Sequence, residues 1–521
     1  MSCAVCHVTY FMQRDISQLS RGQYDVLAIG GGINGAAIAH MAALNGLKVA
    51  LLEKGDFACG TSSKSTKLIH GGLRYLEHLE FGLVREALQE RCLLLTDAPH
   101  LVKPLSFVIP VYKSDRRPLG LVRLGVWFYD FLSGKYLIQR HRSLSAQDIL
   151  QLVPGIMAEG LAGGVMYYDA QMDDARLVLE NVLSADEKGA HVANYVEVES
   201  FIKKDGKAVG VKAYDRIGGR HGEVYAKKIV CAVGPWTNVL MQKEEGLPAA
   251  PTAQVDNASS PVRTTKGVHV VCRGQISPHA LLIPTHRDRR VFFVIPWMGN
   301  ALIGTTDTDY KGSPDEVRVD DGDVDYLLDE LRRVFPQAPF KKEDIITVFA
   351  GLRPLAQEKG APSQVSRRHV IKKSCSGIVY VMGGKYTTYR RIAEDCLRMV
   401  LGRPPVDTRA GLPLYGSGVI AENAYDAAKI WNIDEKTAQF LMDMYGARYK
   451  DVLAWTEKEP SLKEPLCVCS KAIKAQAVYA VKVEMACSEE DIYKRRLSLV
   501  YRECKTGQCL KEIQKIIAGY R

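Results

Sequence analysis

No apolar stretch of this 521-residue chain is long enough to cross a membrane as a helix. The longest uncharged run, Val291 to Thr306, is interrupted by Pro296, Gly299 and Asn300 and falls short of the ~20 residues a span needs. Any membrane contact is therefore expected to be peripheral. A strong charge imbalance is missing too. The 69 Lys+Arg against 59 Asp+Glu leave a net +10, which favours anionic ligands or surfaces without marking a nucleic-acid binder. The 13 cysteines lack the paired spacing of a disulfide framework, so reduced thiols are expected. Cys487, Cys504 and Cys509 in the tail show no metal-ligand spacing, and no D-x-D-x-D-G calcium loop occurs; no metal is expected. Cys3, Cys6 and His7 do fit the C-x-x-C-H haem form, but no basic segment of an export signal precedes them, and the match is read as chance. Internal repeats and low-complexity segments are also missing.

What is present fits a globular chain of two or three domains, with 47% hydrophobic and 25% charged residues. Residues 24–54 read strand, helix, strand, with Gly30-x-Gly32-x-x-Gly35 at the first turn and Glu53 closing the second strand. Such glycines permit a tight turn, a close backbone approach to pyrophosphate and close helix–strand packing. The helix N-terminus favours the phosphates, and an acid about 20 residues on accepts from ribose hydroxyls. A dinucleotide is implied, but NAD and FAD stay undivided at this point. Two further glycine turns follow apolar strands, "AVGPW" (232–236) and "MGGKYTTYR" (382–390), and Gly71 and Gly72 close a Ser/Thr-rich loop after Glu53. Three backbone approaches suit a long cofactor lying extended, which points to FAD.

The segments "GGGINGAAIA", "SSKSTKLIHGGLRYLEH", "DDARLVL", "VGPW", "KGVHVV", "FVIPW…IGTTDTDYKG", "GLRPL" and "GGKYTTYR", in this order over residues 24–400, together resemble FAD-dependent, quinone-linked glycerol-3-phosphate dehydrogenases. The tail resembles that family's C-terminal helical cap. The resemblance implies an α/β chain, α+β overall. It comprises a Rossmann-like FAD-binding domain of the D-amino-acid-oxidase/glutathione-reductase type, an antiparallel-sheet substrate domain and the cap. The expected boundaries are an extension at 1–23, a discontinuous FAD-binding domain (24–100, 160–240, 351–403), a substrate domain (101–159, 241–350) and helices at 404–521. The implied reaction oxidises sn-glycerol 3-phosphate to dihydroxyacetone phosphate, with electrons passing to a membrane quinone. The implied cofactor contacts are Gly30, Gly32, Asn34, Gly35, Glu53, Thr61, Ser62, Ser63, Lys67, Leu68, His70, Gly71, Gly72, Gly234, Trp236, Gly384, Lys385, Tyr386 and Thr387.

Residue chemistry agrees with that implication. A small phosphate ester needs fixed cations, and the arginine fork matches phosphate oxygens. Arg74 with Tyr75, Arg353 and Arg367 match the family's substrate-contact positions; whether Arg367 or its neighbour Arg368 faces the phosphate stays open. Thr306 and Asp307 are expected to orient the substrate. An alcohol is a weak acid, so a base must take its proton, and His269 and His70 both qualify. Lys385 is placed to stabilise the negative charge of a reduced flavin.

Residues 101–142 carry eight Lys/Arg against two Asp, with Trp127, Phe128, Tyr129, Phe131 and Tyr136 among them. This stretch reads either as a contact with an anionic membrane or as a solvated basic face. The first reading places the chain at the cytoplasmic face of a bacterial inner membrane, with a soluble chain as the alternative. A homodimer is allowed, and nucleic acid is not expected. Competing functions are an oxygen-using glycerol-3-phosphate oxidase, an amine or amino-acid oxidase, and a flavin-binding redox sensor without turnover.

Overall fold

The computed structural model describes residues 12, 14–247, 261–288, 290–337, 340–356, 368–406, 408, 411–504 and 507–520. Two segments singled out in the sequence, Cys3–Cys6–His7 and Arg367, lie outside them. Two large sheets meet at the centre of the chain. The first runs His369–Lys373, Val379–Gly383, Arg220–Cys231, Gln23–Ile29, Val49–Leu52 and His191–Ala193, with Val196–Lys204 and Lys207–Asp215 extending the long middle strand. Its core is parallel: Gln23–Ile29 pairs with both Arg220–Cys231 and Val49–Leu52. All four residues of Val49–Leu52 are buried: Val49 and Leu51 share a cluster with the helix Ile33–Leu44, and Ala50 and Leu52 share one with the strands Val196–Lys204 and Lys207–Asp215.

The helix Ile33–Leu44 follows the glycine turn and is buried on nearly every side. Small residues such as Ala36, Ala39 and Ala42 let Asp174–Glu187 and Tyr389–Leu401 pack closely against it. A helix this apolar all round is stable only inside a core.

The second sheet contains Leu68–Ile69, Val102–Tyr112, Leu161–Met172, Val262–Cys272, Ala280–Pro284, Val291–Trp297, Asn300–Gly304 and Ile345–Ala356, with shorter edge strands. It is antiparallel except for one parallel pairing, Val102–Tyr112 with Ala280–Pro284. Leu161–Met172 belongs to this sheet and pairs along its length with Val102–Tyr112. The boundary expected at residue 160 groups this strand with the FAD-binding residues; its hydrogen bonds are made within the antiparallel sheet, and the helix Asp174–Glu187 that follows it packs on Ile33–Leu44. The basic stretch 101–142 divides: its first part is that internal strand, and the helix Leu119–Ser133 follows.

The tail is helical (Ala424–Trp431, Glu435–Tyr445, Tyr449–Lys458, Lys474–Lys482, Gln508–Tyr520), yet it has no core of its own. Tyr445, Tyr449 and Val452 share one apolar cluster with Ile38 and Ala42. A buried ionic knot fixes the junction. Asp56 accepts from Arg495 Nε (2.6 Å) and from Arg496 Nη1 (2.7 Å) and Nη2 (2.8 Å). Burial opposes charge on Asp56, but the two guanidinium groups win and hold its carboxyl below the usual range.

Candidate active site

A cavity of about 540 Å³ opens where the two sheets meet, within the size range of small-molecule sites. Among the site residues named from the sequence, all line it except Gly35, Ser63, Lys67, Gly71, Thr306, Arg368 (the alternative to Arg367) and the undescribed Arg367.

One end is built by the glycine turn. Gly30 has φ +106°, and a side chain there would meet the Ala232 carbonyl at 2.6 Å; at Gly35 a Cβ would lie 1.8 Å from the Gly30 carbonyl. Only glycine lets strand and helix approach this closely. Ser62 Oγ accepts from the Ile33 N–H (2.9 Å), tying the Ser/Thr loop to the helix start. Glu53 Oε2 and Oε1 accept from the Gly31 and Gly55 N–H groups at 2.6 and 2.7 Å. Burial raises its pKa. Asn34 Oδ1 is buried with no hydrogen-bond partner while its residue lines the cavity, and an orphaned buried acceptor calls for a ligand. These features fit a dinucleotide along Gly30, Gly32, Asn34 and Glu53.

The other end is built by pairing Val262–Cys272 with Ile345–Ala356, which sets Thr265 opposite Arg353, Gly267 opposite Gly351 and His269 opposite Phe349. The Arg353 guanidinium donates through Nη1 to Asp307 Oδ1 (2.9 Å), and through Nη2 to Thr305 Oγ1 (2.8 Å) and the Thr306 carbonyl (3.2 Å). It lies over Gly267, where a Cβ would come within 2.4–2.7 Å of the guanidinium atoms. His269 is 2% exposed, stacks on Phe349 at 4.9 Å between ring centres, and pairs through Nε2 with the Thr66 hydroxyl at 3.0 Å. Its Nδ1 is buried without a partner. Burial first, then the charges of Arg353 and Lys67, push its pKa well below the ordinary imidazole value. Burial likewise pushes His70 down to about 4, against the pull of Asp169. Both rings are neutral at pH 7 and able to accept a proton. Lys385 Nζ stands 3.7 Å from the centre of the Tyr75 ring, a cation–π contact at the cavity wall.

The residues off the cavity have structural tasks. Thr306 Oγ1 accepts from the Val268 N–H (2.9 Å); its neighbour Thr305 is the threonine that faces the cavity. Lys67 is fully buried and donates to Asp174 Oδ1 (2.6 Å) and the Ser63 carbonyl (2.9 Å). Burial opposes its charge, but Asp174 keeps its pKa above the usual lysine range. The Gly71 N–H donates to Asp169 Oδ1 (3.3 Å). Sequence reasoning also missed three residues: Arg290, which lines the cavity and donates to the Asp307 carbonyl (2.5 Å); Thr66; and Tyr501, whose ring lies 4.9 Å from Lys67 Nζ and 6.0 Å from Phe349. "SSKSTK" did carry Thr66, but nothing local marked it above its hydroxyl neighbours.

Residues 25–390 match the family described as FAD dependent oxidoreductase, and residues 408–520 match the C-terminal domain of alpha-glycerophosphate oxidase. The chain belongs to the FAD-dependent oxidoreductases. It is 38% identical to a glycerol-3-phosphate dehydrogenase of Synechocystis, over 93% of this chain and 90% of that protein. It is 36% identical to an aerobic glycerol-3-phosphate dehydrogenase of Staphylococcus aureus, over 94% of this chain and 89% of the relative. The crystal structure of the Bacillus halodurans glycerol-3-phosphate dehydrogenase complexed with FAD superposes with a TM-score of 0.77 at 30% identity, covering 97% of this chain and 92% of that one. The flavoprotein fold expected from the motifs is thus the fold observed.

Because Gly267 makes room for the anchored guanidinium, Gly267→Ala should lower kcat/KM for the substrate by about 100-fold, the usual cost of an ångström-scale misplacement. The flavin should stay bound. Unchanged kinetics in that variant would show that Arg353 is not positioned through this contact.

Proposed function

We propose that this flavoprotein oxidises sn-glycerol 3-phosphate to dihydroxyacetone phosphate. The observation that carries the reading is an arginine anchored beside a buried, neutral histidine in a cavity rimmed by dinucleotide-type glycine turns. The relatives named glycerol-3-phosphate dehydrogenase support it. FAD supplies the two-electron acceptor for the hydride that leaves C2. Arg353, with Arg290 and Arg74 also lining the cavity, binds the phosphate, and Tyr75 and Asp307 limit where the carbon chain can lie. The phosphate does not react, so its binding free energy is available to position C2. His269 takes the C2 hydroxyl proton, since its ring is neutral and faces the cavity beside the arginine. His70 packs against the turn around Thr387, with backbone hydrogen bonds to the Thr387 hydroxyl at 3.2 and 3.3 Å. Lys385 supplies positive charge near the turn that approaches the cofactor.

The proposed acceptor is a membrane quinone, reached from a peripheral position on the cytoplasmic face of a bacterial inner membrane. Among the described residues no helix is long and apolar enough to cross a membrane. The helix Leu119–Ser133, however, turns Leu121, Leu124, Trp127 and Phe131 outward at 53%, 59%, 53% and 66% exposure. Arg116, Arg117 and Arg123 flank that apolar row. Apolar face plus basic rim is the pattern of a helix lying in a lipid interface. The oxidase reading is favoured by one finding, the match of the tail to the alpha-glycerophosphate oxidase C-terminal domain; in that case peroxide forms in air at the rate the substrate is consumed.

Anaerobic addition of glycerol 3-phosphate should bleach the yellow flavin band, and Arg353→Ala should slow bleaching by at least about 100-fold. A flavin indifferent to the compound would refute the reaction. For the membrane contact, the chain should sediment with anionic vesicles at low salt, and Trp127→Ser/Phe131→Ser should abolish most of that binding. Equal recovery in the supernatant with and without vesicles would contradict it.

A further inference from the structure

Four cysteines that no part of the proposed reaction uses converge in the helical tail. Cys467 and Cys469 sit in the loop ahead of the helix Lys474–Lys482. That loop is closed by the Leu466 N–H donating to the Ala472 carbonyl (2.9 Å) and the Ser470 N–H donating to the Cys467 carbonyl (3.2 Å). Cys504 follows the turn Leu499–Tyr501, and Cys509 lies in the first turn of the helix Gln508–Tyr520. The four sulfur atoms all lie within 4.8 Å of one another. The Cys469–Cys509 separation is 3.5 Å and the Cys467–Cys504 separation 4.0 Å.

From this geometry we infer that Cys467, Cys469, Cys504 and Cys509 form a tetrathiolate site for one soft metal centre, zinc or thiolate-bound iron. Tetrahedral metal–sulfur bonds of ~2.3 Å place neighbouring sulfurs about 3.8 Å apart, and the two separations above bracket that edge. A C-x-C pair from one segment and a C-x-x-x-x-C pair from another supply two ligands each, the usual way in which two loops share one ion. Sulfur is the ligand that selects zinc and iron over the hard cations. Burial is graded: Cys467 and Cys509 are buried, Cys504 is partly buried and Cys469 reaches the surface, which leaves an entry path for the ion.

The competing arrangement is a disulfide. The sulfurs of Cys467 and Cys509 are joined in the structure. A disulfide accounts for two of the four, however, and gives no reason for Cys469 and Cys504 to converge on it. Nine described cysteines lie outside any disulfide, a thiol content typical of reducing surroundings, where clustered cysteines hold metals more often than disulfides. The consequence for the fold is specific. The site bonds the last helix to the loop before Lys474–Lys482, and Cys504 lies three residues after Tyr501, whose ring packs on Phe349 behind His269. The centre therefore holds the tail against the back wall of the cavity.

The test is metal analysis of the full-length flavoprotein, purified without chelator under anaerobic conditions, beside Cys469→Ser and Cys504→Ser. The expected result is about one zinc, or about one to two irons, per chain. Metal should be lost in either variant while flavin is retained. Zinc leaves the visible spectrum to the flavin alone; iron adds absorbance and an electron paramagnetic resonance signal, with acid-labile sulfide if the irons are bridged. Either metal supports the site. Metal below about a tenth per chain, with the Cys467–Cys509 disulfide recovered by thiol mapping, would overturn it, as would metal content unchanged in both variants. The wild-type measurement decides even where a variant fails to fold.

Discussion

The anchored guanidinium of Arg353 is the constraint on which the rest of the site depends. Thr305 and Asp307 fix its direction, and the missing side chain of Gly267 gives it room. Placing a fixed positive charge beside His269 has two effects at once. It provides a seat for an anion, and it disfavours protonation of the ring, reinforcing what burial already does. A histidine held neutral in this way has its lone pair free near neutral pH, but the same depression weakens it as a base. Its own proton acceptance becomes favourable when an anionic substrate group offsets the arginine.

Around that pair, ion pairs of the ordinary structural kind carry the load. Lys67 and Asp174 form a buried bridge at 2.6 Å, and Arg176 with Glu484 forms another at 2.6 Å. Breaking one partner of such a pair leaves an uncompensated buried charge, which costs several-fold more than the pair itself contributes. The Arg176–Glu484 bridge and the Asp56 knot join the helix Asp174–Glu187 and the loop after Val49–Leu52 to the tail, so the tail is part of the scaffold and not an appendage. Tyr501 makes the same point from the other direction, because a residue from the tail helps form the wall behind His269.

The features legible in the sequence were those written locally. The glycine turn, its acid and the strand–turn–helix of "GIVYVMGGKYTTYRR" depend on residues a few positions apart, and the structure has strands at Gln23–Ile29 and Val379–Gly383 and helices at Ile33–Leu44 and Tyr389–Leu401. Long-range partners were not legible. Lys67 stands in the sequence among the implied cofactor contacts, and nothing local shows that Asp174, 107 positions on, is its ion-pair partner. Thr305 and Thr306 are adjacent and chemically alike; only the end of the strand Asn300–Gly304 decides which hydroxyl faces the cavity and which closes onto Val268. The cysteine cluster was missed because its halves lie 37 and 40 residues apart. The stretch 101–142 looked uniform in composition but contains an internal strand and an outward-facing helix, a division that burial alone reveals.

The central claim is that a neutral His269, held neutral by burial and by Arg353, takes the substrate proton. The direct measurement is the pH dependence of the anaerobic single-turnover rate of flavin reduction, in the wild type and in His269→Gln. The account predicts a rate that stays flat as pH falls through the ordinary imidazole value of about 6.5 and declines only below it, because the depressed pKa delays protonation. His269→Gln should lose that limb and about 100- to 10,000-fold in rate. An acidic limb at or above the ordinary value, or one that survives the substitution at near wild-type rate, would contradict it.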